Sequence, residues 1–374
     1  GRASLSANTT ASGNTGVGES ALRFNTTGAY NVAVGANSLD ANIGSHDNTA
    51  VGYNVLTANI SGYSNVGVGG GANYAAAALA TNTTGYGHTG IGAGALASNS
   101  TGSLNTAVGR QAMYANSTGS GNTAVGALAL DNNTTAANNT AVGYHALGAV
   151  TTTQFNTAVG HSAGQGITAG DNTCIGYAAG AYGTGTIVSG GSNVIIGAYS
   201  RISSGGSSNE LAIGRYVLGQ GTATATLGYN GVGATISIDG SDTSWAAHSD
   251  ERLKENITTS TAGLSFVNDL RPVTYTWKAK NAISEDFVHY YDADSTDPVN
   301  GVAGKTYHGF VAQEMKATID AHSEVANGNN LWAERVDDIQ QLAPSNLVPM
   351  LTKAIQELST QLDAALARIT TLEG

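Results

Sequence analysis

The five-residue word Asn-Thr-Ala-Val-Gly and its close variants return along this chain at a fixed interval of 17 residues. They start at Asn14, Asn31, Asn48 and Asn65, step by 23 residues to His88, and resume at Asn105, Asn122, Asn139 and Asn156, with looser copies at Asn172, Asn193 and Asn209. Leu22, Leu39, Leu56, Leu96, Met113, Leu130 and Leu147 keep the same clock eight residues into their units, and Asn25, Asn42, Asn59, Asn99, Asn116 and Asn133 keep it eleven residues in. A unit this short cannot bury a core alone, but stacked copies bury a continuous one and pair backbone groups between coils. Helical repeats need about 33 residues or more. The expectation is a mainly β protein whose shaft is a parallel β-solenoid of about twelve coils, a rod ~55–60 Å long at ~4.8 Å per coil.

Within each word the second and fourth residues share a parity, so both point to one face of an extended strand. Being Thr or Val, then Val or Ile, they are expected to face the interior, with the third residue (Ala or Gly) outward. The closing Gly permits a turn that a β-branched residue resists. The leading Asn residues fit either a stacked side-chain ladder or simple turn formation.

Composition agrees with a thin core: 51 Gly against five Phe and three Trp. Charge marks a boundary, since residues 1–248 carry 13 Asp, Glu, Lys or Arg and the remaining 126 carry 28. A net charge of −11 without a basic cluster excludes a nucleic-acid partner. The single cysteine, Cys174, excludes an intramolecular disulfide. No run of about 18 apolar residues is present, so no membrane insertion is expected. The start at Gly1 has neither a basic nor an apolar leader segment, and an upstream attachment protein is expected.

From these shifts the chain divides into a shaft at 1–214, a β-rich junction at 215–248, a small α+β domain at 249–345 and a terminal helix at 346–374. The junction is read from Ala234 to Ile238 as a strand followed by a turn. In the terminal segment Val348, Ile355, Leu362 and Ile369 occupy heptad position a, and Leu351, Leu358, Ala365 and Leu372 position d. A narrow seam of this kind favours self-association, and its Ile and Leu mixture permits a trimer. The competing possibility is a helix that packs this seam on its own domain.

The repeat word resembles that of trimeric autotransporter adhesin heads, over roughly residues 14–214, which implies a shaft wound as a trimer. SDERLKENI at 249–257, LRPVTYTWK at 270–278, HGFVAQEM at 308–315 and NLVPMLTKAIQELSTQL at 346–362 resemble, in order and spacing, the intramolecular chaperone domain of endosialidase tailspikes and phage tail fibres. That resemblance implies a homotrimer and a single self-cleavage between His248 and Ser249. Ser249 would be the nucleophile, Lys254 its base and Asn256 a positioning residue. Chemically, a serine hydroxyl needs a nearby proton acceptor, and a lysine serves only where water is excluded. SDERLK in isolation equally fits a capped helix start with an exposed lysine.

Other matches are weaker. GHSAG around Ser162 fits a nucleophile elbow but lies inside the repeat, so Ser162 is expected to be a turn residue. Gly67, Gly69 and Gly71 mimic a phosphate loop only because the repeat is rich in glycine. The His residues lack ligand spacing, so neither a metal nor a cofactor is expected. Tyr53, Tyr144 and Tyr177 recur near coil ends, where they suit packing between chains or, less readily, stacking on sugars. The function these features imply is a structural phage tail fibre or tailspike, made in the host cytoplasm and carried on the virion tail. Its partners would be a host-surface glycan or protein receptor and a tail or baseplate protein. A cellular trimeric adhesin is the alternative, and the scarcity of carboxylates in the shaft argues against a glycan hydrolase.

Overall fold

The computed structural model describes residues 1–71, 76–181, 189–239, 246–247, 250–287, 290–326, 331–334 and 339–373. It resolves into two units, Gly1–Asp250 and Glu251–Gly374. The first is the solenoid. Three-residue strands β1 (Thr15–Val17), β2 (Val32–Val34), β3 (Thr49–Val51), β4 (Val66–Val68), β5 (Thr89–Ile91) and β6 (Thr106–Val108) open a single parallel sheet. It continues through β7 (Thr123–Val125), β8 (Thr140–Val142), β9 (Thr157–Val159), β10 (Thr173–Ile175), β11 (Val194–Ile196), β12 (Leu211–Arg215) and β13 (Thr224–Tyr229). Each rung pairs with the next in register, Ala107 with Ala124 and Ala124 with Ala141, and the longer step from β4 to β5 keeps that register.

The strand faces are the reverse of the expected assignment. The third residue of each word, such as Ala33, Ala50, Ala107 and Ala124, is wholly buried, while the Val or Ile after it reaches outward. The parity was right and the direction wrong, because hydrophobicity alone suggests that the larger side chain faces in. One Ala column from the strands, a second from the turns and one Leu column fill most of the coil, so the smaller residue takes the inner seat; at β11 Ile195 takes it instead.

Asparagine occupies the rest of the interior, as two buried ladders. In the first, the backbone N–H of Asn31 donates to Asn14 Oδ1 at 2.9 Å, that of Asn48 to Asn31 at 3.0 Å, and the pattern runs on coil by coil to Asn193. Most of the Nδ2 groups tie off a carbonyl 14 residues ahead, as from Asn122 to Ala136 O at 2.8 Å, while Asn65 reaches Gly85 O in the longer coil. The second ladder links Asn25, Asn42, Asn59, Asn82, Asn99, Asn116 and Asn133 through amide-to-amide bonds of 2.7–3.2 Å. Buried polar groups without partners cost more than the bonds contribute, so the ladders lock one coil to the next at a single register.

Two columns of backbone explain the remaining constants of the repeat. The closing glycines hold φ between 122° and 138°, and a Cβ on Gly109 would stand 2.5 Å from Gly126 O. No other residue fits that column. The Leu column is less expected, since Leu22 to Leu147 sit at φ of 49–53°. A left-handed leucine is strained by ~1 kcal/mol or more, and its complete burial offsets that.

The last rungs depart from the pattern. In the word beginning Asn209, the ladder seat belongs to Glu210, whose N–H donates to Asn193 Oδ1 at 3.0 Å. Its buried carboxylate ends the ladder by accepting from the Ser203 and Gly221 N–H groups. Asn230-Gly231, both at positive φ, then turns the chain into β14 (Val232–Ser237), which pairs antiparallel with β13 and with β15 (Ala246–Ala247). That hairpin signal went unread at the sequence level although Asn-Gly is a strong one.

Unit 2 is a small α+β domain. Helix α1 (Leu264–Asp269), the strands β16 (Val273–Tyr275) and β17 (Tyr307–Gly309), helices α2 (Ala312–Ala321) and α3 (Ser323–Ala326), and the pair β18 (Trp332–Glu334) and β19 (Gln340–Leu342) precede the long helix α4 (Val348–Glu373). Phe266, Met315, Ile319, Val325, Leu331 and Leu347 form its core.

The ladders generate two expectations. Asn122→Ala strands the buried Asn139 N–H and leaves the Ala136 carbonyl with the Asn133 amide alone, and should lower stability by roughly 1–3 kcal/mol, against ~0.5 or less for the exposed Thr135→Ala, in denaturant melts. His88, seated in the first ladder, donates through Nε2 to Gly102 O and accepts at Nδ1 from the Asn105 N–H. Burial pushes its pKa down to about 4, partly offset by the hydrogen bond to Gly102. A depressed histidine stabilises the fold above its unfolded pKa of ~6.5 and loses that contribution as pH falls. The shaft should therefore weaken by roughly 2–3 kcal/mol between pH 7 and 4, and His88→Asn should flatten that part of the melting-temperature profile.

Candidate functional site

The sequence assigns chemistry to the segment around the unit boundary. His248 and Ser249 lie outside the described residues. The chain enters through β15, pairing Ala247 with Ala234, and leaves through a single 3-10 turn at Glu251–Leu253. Lys254 closes that turn, its N–H donating to Glu251 O at 3.0 Å, and its side chain is exposed. Asn256 is also exposed and holds a left-handed φ of 55°.

The other motifs build the domain core. LRPVTY and HGFVAQEM supply β16 and β17, paired antiparallel with Thr274 opposite His308. Arg271, just before β16, holds Glu314 of α2 through two hydrogen bonds, which keep that carboxyl below its usual range. His322 bridges α1 and α3, with Nε2 2.8 Å from Asp269 and Nδ1 2.9 Å from Glu324, and both carboxylates raise its pKa. These ties position α1, against which α4 packs.

How α4 packs distinguishes the two readings of its heptad. The buried residue of the helix is Ala354, with Met350 beside the core; Glu357 Oε2 accepts from the Leu264 N–H at 2.7 Å, capping α1. That hydrogen bond holds the Glu357 carboxyl below its ordinary range, and Lys353 adds to the effect. Position 354 is neither a nor d. The whole seam stays bare: Val348, Leu351, Ile355, Leu358, Leu362, Ile369 and Leu372 are 41–79% exposed, and Ala365 is exposed with them. Leu366 adds an eighth large apolar side chain that the heptad assignment passed over. The docking face itself was not read from the sequence, where a single small residue at Ala354 is its only sign.

In the shaft, Tyr144, His161, Tyr177, Tyr199 and Tyr216 form a ladder with ring centroids 5.0, 5.0, 5.0 and 4.7 Å apart. Such spacing leaves no gap for a sugar ring between neighbours, and the rings pack on each other, stacked at His161–Tyr177 and Tyr199–Tyr216 and edge-on at Tyr177–Tyr199. Ser162 lies in a turn at φ 54°, with no elbow geometry. Cys174 fills an inward strand position, and burial pushes its thiol up to about 12.

A family model described as the chaperone of endosialidase matches residues 249–323, about a fifth of the chain. No curated protein and no solved structure matches the chain. The matched segment begins at Ser249 and includes Lys254, Asn256, β16, β17 and α2, so three of the four motifs fall within it.

Because α4 docks through the side that carries Met350, Ala354 and Glu357, the two sides of the helix should respond differently. Ala354→Phe over-fills the docked side and should cost about 1–3 kcal/mol, whereas Leu362→Ala should change the melting of dilute, unassociated protein by ~0.5 kcal/mol or less.

Proposed function

We propose that this chain is the distal part of a homotrimeric phage tail fibre or tailspike, in which residues 249–374 act as an intramolecular chaperone that aligns three copies and then cuts itself free. The observation that carries this reading is the seam of α4. A 26-residue helix with its a and d side chains uncovered, already anchored by another side, is built to receive partner helices. A solenoid shaft joined to a segment similar to the chaperone of endosialidase supports the fibre architecture.

In the proposed step, Ser249 Oγ attacks the His248 carbonyl carbon while Lys254 Nζ takes the hydroxyl proton. The His248–Ser249 amide bond breaks, its nitrogen gains a proton, and an ester remains. Water hydrolyses that ester, leaving a carboxylate on His248 and a free amine on Ser249. Asn256 serves to position the loop. Lys254 is exposed in the single chain, and an exposed lysine is a poor proton acceptor. Neighbouring copies would supply the exclusion of water, which makes cutting follow assembly. Removal of the clamp then leaves the shaft without its template for unfolding and refolding, a stability of the kinetic kind. Receptor engagement at the host surface and attachment to an upstream tail protein complete the proposed role on the virion tail.

Intact mass after expression should show a break between His248 and Ser249. Ser249→Ala and Lys254→Ala should each leave the full chain, and Ile355→Glu with Leu362→Glu should abolish both self-association and cutting. Cleavage that persists in both Ser249→Ala and Lys254→Ala would rule out the dyad, and a wild-type chain that sediments as a monomer would rule out the assembly.

A further inference from the structure

We infer that the outward face of the solenoid sheet is the surface along which copies of this chain lie against one another, rung on rung; this rests on the assembly proposed above and names the side of the shaft that carries it. Parallel sheets are characteristically covered on both faces. Here the inner face is closed by the Ala and Leu columns, and the outer face is bare. Both outward positions of every strand from β1 to β11, and the first two of β12, are Thr, Val, Ile or Leu; Arg215 at the third outward position of β12 ends this uncharged strip. Val17, Val34, Ile91, Val125, Val159 and Ile175 are 37–55% exposed. Most charges of the same coils, such as Glu19, Arg23, Asp40 and Asp131, lie outside the strands, and Arg215 sits at the end of β12.

The dimensions suit a second copy. Twelve rungs at ~4.8 Å and three residues at ~3.3 Å give a strip of about 55 by 10 Å, or roughly 550 Å² before side-chain relief and the flanking turns are added. That is at the upper end of the ~300–600 Å² reached by the largest patch of a monomer, a size often functional, and the flanking turns bring it toward the ~800 Å² that each partner contributes to a stable interface. A partner must also present side chains at the same rise for β-branched rows to interdigitate along the whole strip. Another copy does so by construction, and a parallel association through α4 brings copies together in the same direction.

Short-span thiol cross-linking of the full chain tests the assignment, in a Ser249→Ala background that keeps the chain whole. Val125→Cys places a thiol on the outward face of β7; Thr135→Cys places one on an exposed turn of the same coil; Cys174 is buried and stays silent. Oligomers in which Val125→Cys gives severalfold more covalently linked chains than Thr135→Cys are expected. As a second variant, Val125→Lys with Val142→Lys should lower the melting temperature of the oligomeric shaft while Thr135→Lys leaves it unchanged. Oligomers that link at position 135 as readily as at 125, or at neither, overturn this face while leaving the assembly standing. A chain that is monomeric at micromolar concentration overturns both.

Discussion

Register between coils is what the rest of the molecule depends on, and it is held by amides in the interior. A stack of three-residue strands has little apolar surface with which to tell one alignment from another, because Ala on Ala packs similarly wherever it falls. The Asn ladders remove that freedom. In the first ladder a side chain such as Asn48 accepts from one neighbouring coil and donates to a carbonyl of the next, so a slipped coil leaves several buried donors and acceptors empty at once. Every other regularity follows from a pitch fixed in this way: the glycine column that tolerates no Cβ, the left-handed leucines, and the stacked rings on the surface.

Such a core is narrow, and narrowness sends the larger β-branched side chains outside. The consequence is a shaft whose rungs pair with one another in register yet lie uncovered on one sheet face. The terminal helix shows the same pattern, since it is fastened to its own domain through Ala354 and Glu357 and leaves its seam free. Two separate apolar surfaces, built from different secondary structures, are left uncovered within their own units among the described residues. A homo-oligomeric fibre accounts for both with one assembly, which is why the proposal favours identical partners over an unrelated one.

The chemistry proposed for the boundary segment has a different basis from the architecture. It rests on residue order at Ser249 and Lys254 and on the match over residues 249–323. The exposure of Lys254 ties that chemistry to association: the same copies that would cover the α4 seam would also have to dry the loop. Bond breaking and trimer formation then become successive steps of one process.

The period of 17 determined by itself that the first unit is a solenoid, because no other stacking of so short a unit buries a continuous core, and the heptad determined that the chain ends in a helix. The alternation within each word likewise determined which residues share a face. Which face is inward was decided only by the closed coil, whose width admits Ala33 and Ala124 but not the Val beside them. The positive φ of the leucines and the Glu210 seat were decided there too, since neither residue type announces that conformation or place. The heptad could not say whether α4 spends its seam on its own domain. That answer came from where Leu264 and the domain core meet the helix, a contact between residues about ninety positions apart that no local pattern encodes.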